Sequence, residues 1–251
     1  MREWIYGRNP VYEALRAGRR QAFQLHVARG SKEKGRLAEI IRTCEQRNLP
    51  IEYVPRNKLD STGDGHQGLA LEVGGYEYSS LLEIIEFAHQ SSEPAFILIL
   101  DALQDPQNLG TLLRTAEIVG VHGVLLPYRR TATVTPAVVS ASSGASEHLL
   151  IAQTNLAQAI SVLKDEDIWV IGLEGDPEWG KLPGQVRLDG AVALVVGNEG
   201  QGMRTLVRDS CDLLLRLPMR GKIDSLNAAV AGSVALYLAW QARQYTGAKD
   251  K

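Results

Sequence analysis

The chain has few of the residues that make covalent or metal-held frameworks. Among its 251 residues are two cysteines, Cys44 and Cys211, too few for a disulfide scaffold or a zinc set. Cys44 falls in a helical pattern and Cys211 leads into an apolar strand, so both read as small packing residues. The five histidines, His26, His66, His89, His122 and His148, show no metal-ligand spacing and no adjacent nucleophile, so no metal is expected. His66, between Gly65 and Gly68, reads as a turn residue. No apolar run is long enough to cross a bilayer and Met1-Arg2-Glu3-Trp4 begins no secretory signal, which leads us to expect a cytoplasmic protein. A Gly-Lys-Ser/Thr phosphate loop is missing, as is a Gly-x-Gly-x-x-Gly fingerprint after an apolar strand, which weakens a dinucleotide-binding dehydrogenase.

What is present suffices for one good core and a smaller one, with 45% hydrophobic and 22% charged residues. The net charge of −2 conceals a division. Residues 1–75 hold 13 Lys+Arg against 9 Asp+Glu, and residues 76–251 hold 14 against 20. Arg2, Arg8, Arg16, Arg19, Arg20 and Arg29 crowd the first thirty positions, and arginine suits bidentate phosphate contact. Trp4, Trp169, Trp179 and Trp240 are expected as core or interface anchors.

Strands and helices alternate. In the N-terminal part, 4–6, 24–28, 51–54 and 69–73 read as strands, and 11–17, 34–47 and 56–60 as helices. Gly74 to Ser80 has linker composition, 81–89 reads as a short helix, and Ser91 to Pro94 punctuates the entry to a second domain. There 96–100, 123–126, 168–173, 192–197 and 213–217 read as strands of a mainly parallel sheet covered on both faces. The domains expected are 1–75, a linker over 76–94, and 95–251.

Three segments of the second domain place polar residues or glycine where a strand ends. In Gly197-Asn198-Glu199-Gly200-Gln201-Gly202-Met203 a β-branched strand empties into three glycines around one carboxylate, a turn where backbone can approach a flat polar ligand. After the strand at 96–100 come Asp105-Pro106, a turn signal, and Asn108, read as a helix N-cap, with Arg114 on the opposite face from Leu109, Leu112 and Leu113. After Leu217-Pro218-Met219 come Ser225, read as the next N-cap, and Leu226-Asn227-Ala228-Ala229, opening a helix dense in small residues.

In this order the three segments resemble the three motifs of the SpoU (TrmH-type) branch of the SPOUT RNA methyltransferases. The likeness extends through Tyr6-Gly7-Arg8-Asn9-Pro10 and Gly65-His66-Gln67-Gly68 to the accessory domain of that family's rRNA-modifying members, which favours rRNA over tRNA, and so over nearly the whole chain. The fold it implies is α/β: a C-terminal trefoil-knotted domain with a mainly parallel sheet, plus a small α/β RNA-binding domain resembling ribosomal-protein-like substrate-binding domains. The resemblance implies S-adenosylmethionine held by Gly197, Glu199, Gly200, Leu217, Met219, Ser225 and Leu226, with the adenine in a slot of Leu217, Pro218 and Leu226. It implies Arg114, Asn108, Glu199, Ser225 and Asn227 as catalytic, and a homodimer that uses the C-terminal helix. Arg8, Arg16, Arg19 and Arg20 become candidate RNA contacts.

The expected reaction is methyl transfer to a ribose 2′-hydroxyl, most like that of bacterial enzymes acting on a guanosine in the peptidyl-tRNA-binding loop of 23S rRNA. Methylation at base C5, which needs a thiolate, does not suit two packing cysteines. Alternatives are an adenosine of the GTPase-centre rRNA, a tRNA ribose, and a ribosome-assembly factor that binds RNA without catalysis; Asn108, Arg114, Glu199 and Asn227 speak against the last.

Overall fold

The computed structural model describes residues 2–249 apart from Thr62, Asp64, Pro177, Glu199 and Asp224. Along the chain run β1 (Arg2–Tyr6), α1 (Arg8–Ala17), β2 (Ala22–Ala28), α2 (Arg36–Gln46), β3 (Ile51–Val54), α3 (Arg56–Asp60) and β4 (Leu69–Gly74). There follow α4 (Leu81–Gln90), β5 (Phe96–Leu100), α5 (Pro106–Ile118), β6 (Gly123–Pro127), α6 (Pro136–Ala141), β7 (Ile151–Thr154) and α7 (Leu156–Asp165). The last are β8 (Trp169–Leu173), β9 (Val192–Val196), α8 (Thr205–Ser210), β10 (Leu213–Leu215) and α9 (Ala228–Ala242). Two compact units result.

The first unit takes the chain up to Glu77 and adds Thr133–His148. Its sheet has the order β1-β4-β2-β3, with β4 antiparallel to both neighbours and β2 parallel to β3. α6 packs on β1, and Val138 and Val139 are fully buried. The added segment also supplies Glu147, which accepts from Arg20 Nε at 2.9 Å and from a terminal nitrogen at 2.8 Å. Arg20 also pairs with Glu3, and its side chain is 2% exposed. This corrects the expectation that Arg20 faces RNA: a guanidinium fully engaged with two carboxylates holds the unit together. Arg16 remains exposed beside Glu13, Arg19 stacks near Tyr76, and Arg8 opens α1 with its Nε buried. His66 does sit in the turn, its Nδ1 accepting from Gly68 N at 3.0 Å.

The second unit, Tyr78–Ala132 with the chain from Leu149 onward, is built on a six-stranded sheet of order β10-β8-β9-β5-β6-β7. All its pairings are parallel, so the carboxyl ends of all six strands share one edge. β5 (FILIL) and β9 (VALVV) are buried at every position, as central strands covered on both faces must be. Ile97, Ile99, Ala193 and Val195 pack into one cluster with α4 and α7. On the other face Gly232 of α9 lies so close that a Cβ would stand 2.6 Å from Leu112 and 3.0 Å from Val196.

The expected linker over 76–94 is corrected here. Ser80 and Glu83 form a capping box that starts α4, and Ile84, Ile85 and Ala88 enter the core, so most of that stretch is structural. Trp169 and Trp179 are exposed, not core anchors. Among the described residues no helix is long and apolar enough to cross a membrane, and no group of three or more His, Cys, Asp or Glu could hold a metal.

Candidate active site

Helix α5 starts three residues earlier than Asn108 suggests. Asp105 is its N-cap, accepting from Gln107 N at 2.9 Å, with Pro106 preset for the first turn. Asn108 therefore lies inside the helix, three residues past the cap. The cap of α9 is likewise Asn227 and not Ser225: Asn227 Oδ1 accepts from Ala229 N at 2.9 Å and Val230 N at 3.2 Å. Those two donors fix the amide orientation, which turns Nδ2 toward Asn108 Oδ1 at 3.2 Å. One side chain thus caps α9 and ties it to α5.

The glycine turn after β9 is shaped first by its own closure. A Cβ on Gly197 would lie 2.3 Å from both Gly202 C and Met203 N, so no other residue fits there. Asn198 and Gly202 exchange backbone bonds of 3.0 and 2.9 Å, with Gly202 in the left-handed region at φ +65°. Asn198 also accepts from Gly200 N at 2.8 Å and donates to Ala102 O at 3.1 Å. Below the turn, fully buried Asp101 accepts from Arg204 N and Nε, each at 2.7 Å. Sequence reading missed Asp101 and Arg204; the signal was a carboxylate ending an all-apolar strand.

These loops enclose a cleft at the carboxyl ends of β8, β9 and β10. Of the expected cofactor residues, Gly197, Leu217, Met219, Ser225 and Leu226 line it. Gly200 and Pro218 do not. Glu199 lies outside the described residues. Leu173 at the end of β8, with Glu174 and Gly175 after it, joins the lining unforeseen, though the strand-to-glycine pattern repeats that after β9. Glu174 is held on both oxygens, by Gly175 N at 2.8 Å and Arg208 Nε at 2.9 Å. Aliphatic walls with backbone amides and carbonyls between them suit a flat base joined to a polar chain, so the residues present fit a nucleoside cofactor.

Arg114 is exposed on α5 and does not line the cleft. Six residues beyond Asn108, it points about 120° around the helix from it. Its helix neighbours Thr111 and Ile118 lie on its own side, and Thr111 borders a shallow apolar groove with Val230, Val234 and Tyr237 of α9. Neither thiol is poised for nucleophilic chemistry, since burial pushes Cys44 up to about 11 and Cys211 up to about 12. Burial also lowers Arg243 to about 10; it donates to the carbonyls of Pro94, Ala95, Leu188 and Gly190, tying the end of α9 to the strand entries of the sheet.

Compared with known proteins, residues 95–237 match the SpoU rRNA Methylase family, and residues 4–79 match the RNA 2′-O ribose methyltransferase substrate-binding family. The chain is 39% identical, over 98% of both chains, to YacO of Bacillus subtilis, which is assigned by name to the TrmH family of tRNA/rRNA methyltransferases. A crystal structure of an RNA 2′-O ribose methyltransferase covers 97% of this chain and 89% of its own at 25% identity, with a TM-score of 0.78. The SpoU methyltransferase AviRb from Streptomyces viridochromogenes, crystallised with AdoMet, is similar in fold at 20% identity, with a TM-score of 0.79 over 98% of this chain and 91% of its own.

Proposed function

Because this chain belongs to the SpoU rRNA methylase family, we propose that it is an S-adenosylmethionine-dependent 2′-O-ribose methyltransferase acting on a guanosine in the peptidyl-tRNA-binding loop of 23S rRNA. The observation that carries the reading is the Asn108–Asn227 hydrogen bond, which locks the helix beginning at the cofactor cleft to the helix that bears Arg114. The match of residues 4–79 to an RNA 2′-O ribose methyltransferase substrate-binding family supports an RNA substrate, and the choice of rRNA over tRNA rests on the resemblance of that domain to the accessory domain of the family's rRNA-modifying members.

Leu217, Met219, Ser225 and Leu226 would hold the methyl donor with the Gly197 backbone. Bound there, it supplies an electrophilic methyl group on a sulfonium. The protein's task is to aim a ribose oxygen in line with that methyl and to stabilise the negative charge that develops on the oxygen as its proton passes to water. Arginine stays protonated in proteins, so Arg114 serves as a fixed positive charge on the developing alkoxide or the adjoining phosphate. Asn108 and Asn227 set the distance between the two helices. Mapping ribose methylation in rRNA from cells with and without the protein should reveal one missing methyl in 23S rRNA; an unchanged map would refute the reading.

The active unit in this proposal is a homodimer joined along α9. The small residues Gly232 and Ala235 of α9 are consumed inside the fold, together with Leu236 and Ala239. Val230, Val234 and Tyr237 instead form the exposed apolar stripe, and Arg114 projects on that side, where it can complete a partner's site. Val234→Glu should yield a monomer in sedimentation velocity and abolish methyl transfer. An active wild-type species sedimenting as a single 27.4 kDa chain would contradict the dimer.

A further inference from the structure

We propose that a second cleft, at the carboxyl ends of β6 and β7, grips single-stranded RNA beside the target nucleotide, with Arg129 and Arg130 on phosphates and Tyr128 stacked on a base. The inference rests on the reading of the chain as an RNA methyltransferase. The cleft is walled by Tyr128, Arg129 and Arg130 after β6, by Asn155 after β7, and by Arg204 and Leu206.

Its chemistry is out of character with its surroundings. Residues 76–251 carry an excess of acidic groups, 20 against 14, yet among the described residues no carboxylate lines this cleft while three arginines do. Arg204 is ion-paired with Asp101, but among the described residues no ion pair engages Arg129 or Arg130. Tyr128 and Leu206 are 67% and 68% exposed, a cost in water that a stacked base would remove. Guanidinium groups beside an exposed aromatic ring form the arrangement that binds single strands, through phosphate charge and sequence-tolerant stacking.

Its position is set by the same residues that set the active site. The loop that carries Arg129 and Arg130 is pinned at its exit, where Thr131 Oγ1 and Ala132 N donate to Leu103 O at 3.0 and 2.6 Å. The opposite wall is pinned through Arg204 to Asp101. Both walls therefore hang on the segment that leads into α5 and Asn108. With strands roughly 4.8 Å apart, the ends of β6 and β7 lie about 10–14 Å along the edge from the end of β9, close enough for neighbouring nucleotides of one strand. A protein partner would need acidic side chains of its own to meet this wall; RNA brings them in its backbone.

The test uses the full chain, rRNA isolated from cells lacking the protein as methyl acceptor, and a fluorescein-labelled single-stranded 12-mer RNA. The double variant Arg129→Ala, Arg130→Ala should raise the KM for rRNA about tenfold with kcat little changed, and reduce the salt slope of 12-mer binding by about 1.4, two phosphate contacts. Tyr128→Ala should weaken 12-mer binding about tenfold and Tyr128→Phe should restore it. Arg187→Ala, an exposed arginine before β9 at the opposite edge of the sheet, should change neither. Unchanged KM, affinity and salt slope in the double variant would overturn the proposal, as would a shift confined to sedimentation, which would assign the surface to a second copy of the chain. If wild type methylates no rRNA but 12-mer binding still depends on Arg129 and Arg130, the cleft stands and the methyl-transfer reading falls.

Discussion

Replacing Arg114 by alanine is expected to lower kcat for methyl transfer by about 10²–10³-fold, the usual cost of losing one preorganised group that stabilises transition-state charge. The affinity for S-adenosylmethionine, measured by calorimetry, should stay within a few-fold, because Arg114 is not in the lining of the cofactor cleft. Arg114→Lys keeps the charge but loses the planar fork, so it should recover part of the rate. If Arg114 reaches the partner's site, mixing Arg114→Ala with an inactive Asn227→Ala chain should restore activity in the heterodimers that pair one intact Arg114 with one intact cleft. Wild-type turnover in Arg114→Ala would remove the catalytic assignment.

The second large effect is on stability. Arg20→Ala leaves Glu147, fully buried, without its bidentate partner, and breaking a buried pair from one side costs about 3–5 kcal/mol. Chemical denaturation should show the first unit melting early, while removal of both charges, Arg20→Met with Glu147→Leu, should recover most of the loss. The pH dependence has a definite sign. Burial already raises the Glu147 carboxyl above its ordinary 4.5, and losing Arg20 raises it further. A carboxyl whose folded pKa is raised contributes stability that is present below its unfolded value and lost as pH rises. The deficit of the Arg20→Ala protein should therefore be smallest below pH 4.5 and grow above it. An Arg20→Ala chain as stable as wild type at neutral pH would show that the pair is incidental.

Central strands such as β5 and β9 were readable because a parallel strand buried on both faces is a continuous apolar run. β7 was not, since the four residues Ile151–Thr154 are half polar and too short to show a period. Helix caps were legible as a type but not in place. Asp105 and Asn108, or Ser225 and Asn227, can each accept from a free helical N–H, and the choice depends on where the first turn closes; only Pro106 pointed to the earlier start. The asparagine inside α5 and the one that caps α9 meet each other.

The amino-acid sequence by itself determined the order of strands and helices, the places where backbone must turn tightly, and the residue types available for a cofactor cleft and a fixed cation. These follow from local periodicity, from glycine and proline, and from side-chain chemistry, all of which act within a few residues. Only the tertiary structure decided which arginine is a buried strut and which is left at the surface, since Arg20 finds Glu147 across 127 positions while, among the described residues, no ion pair engages the exposed Arg129 or Arg130. It also decided that the small residues of α9 serve the interior and leave Val230, Val234 and Tyr237 outside, because which side of an apolar helix is covered depends on the sheet that receives it.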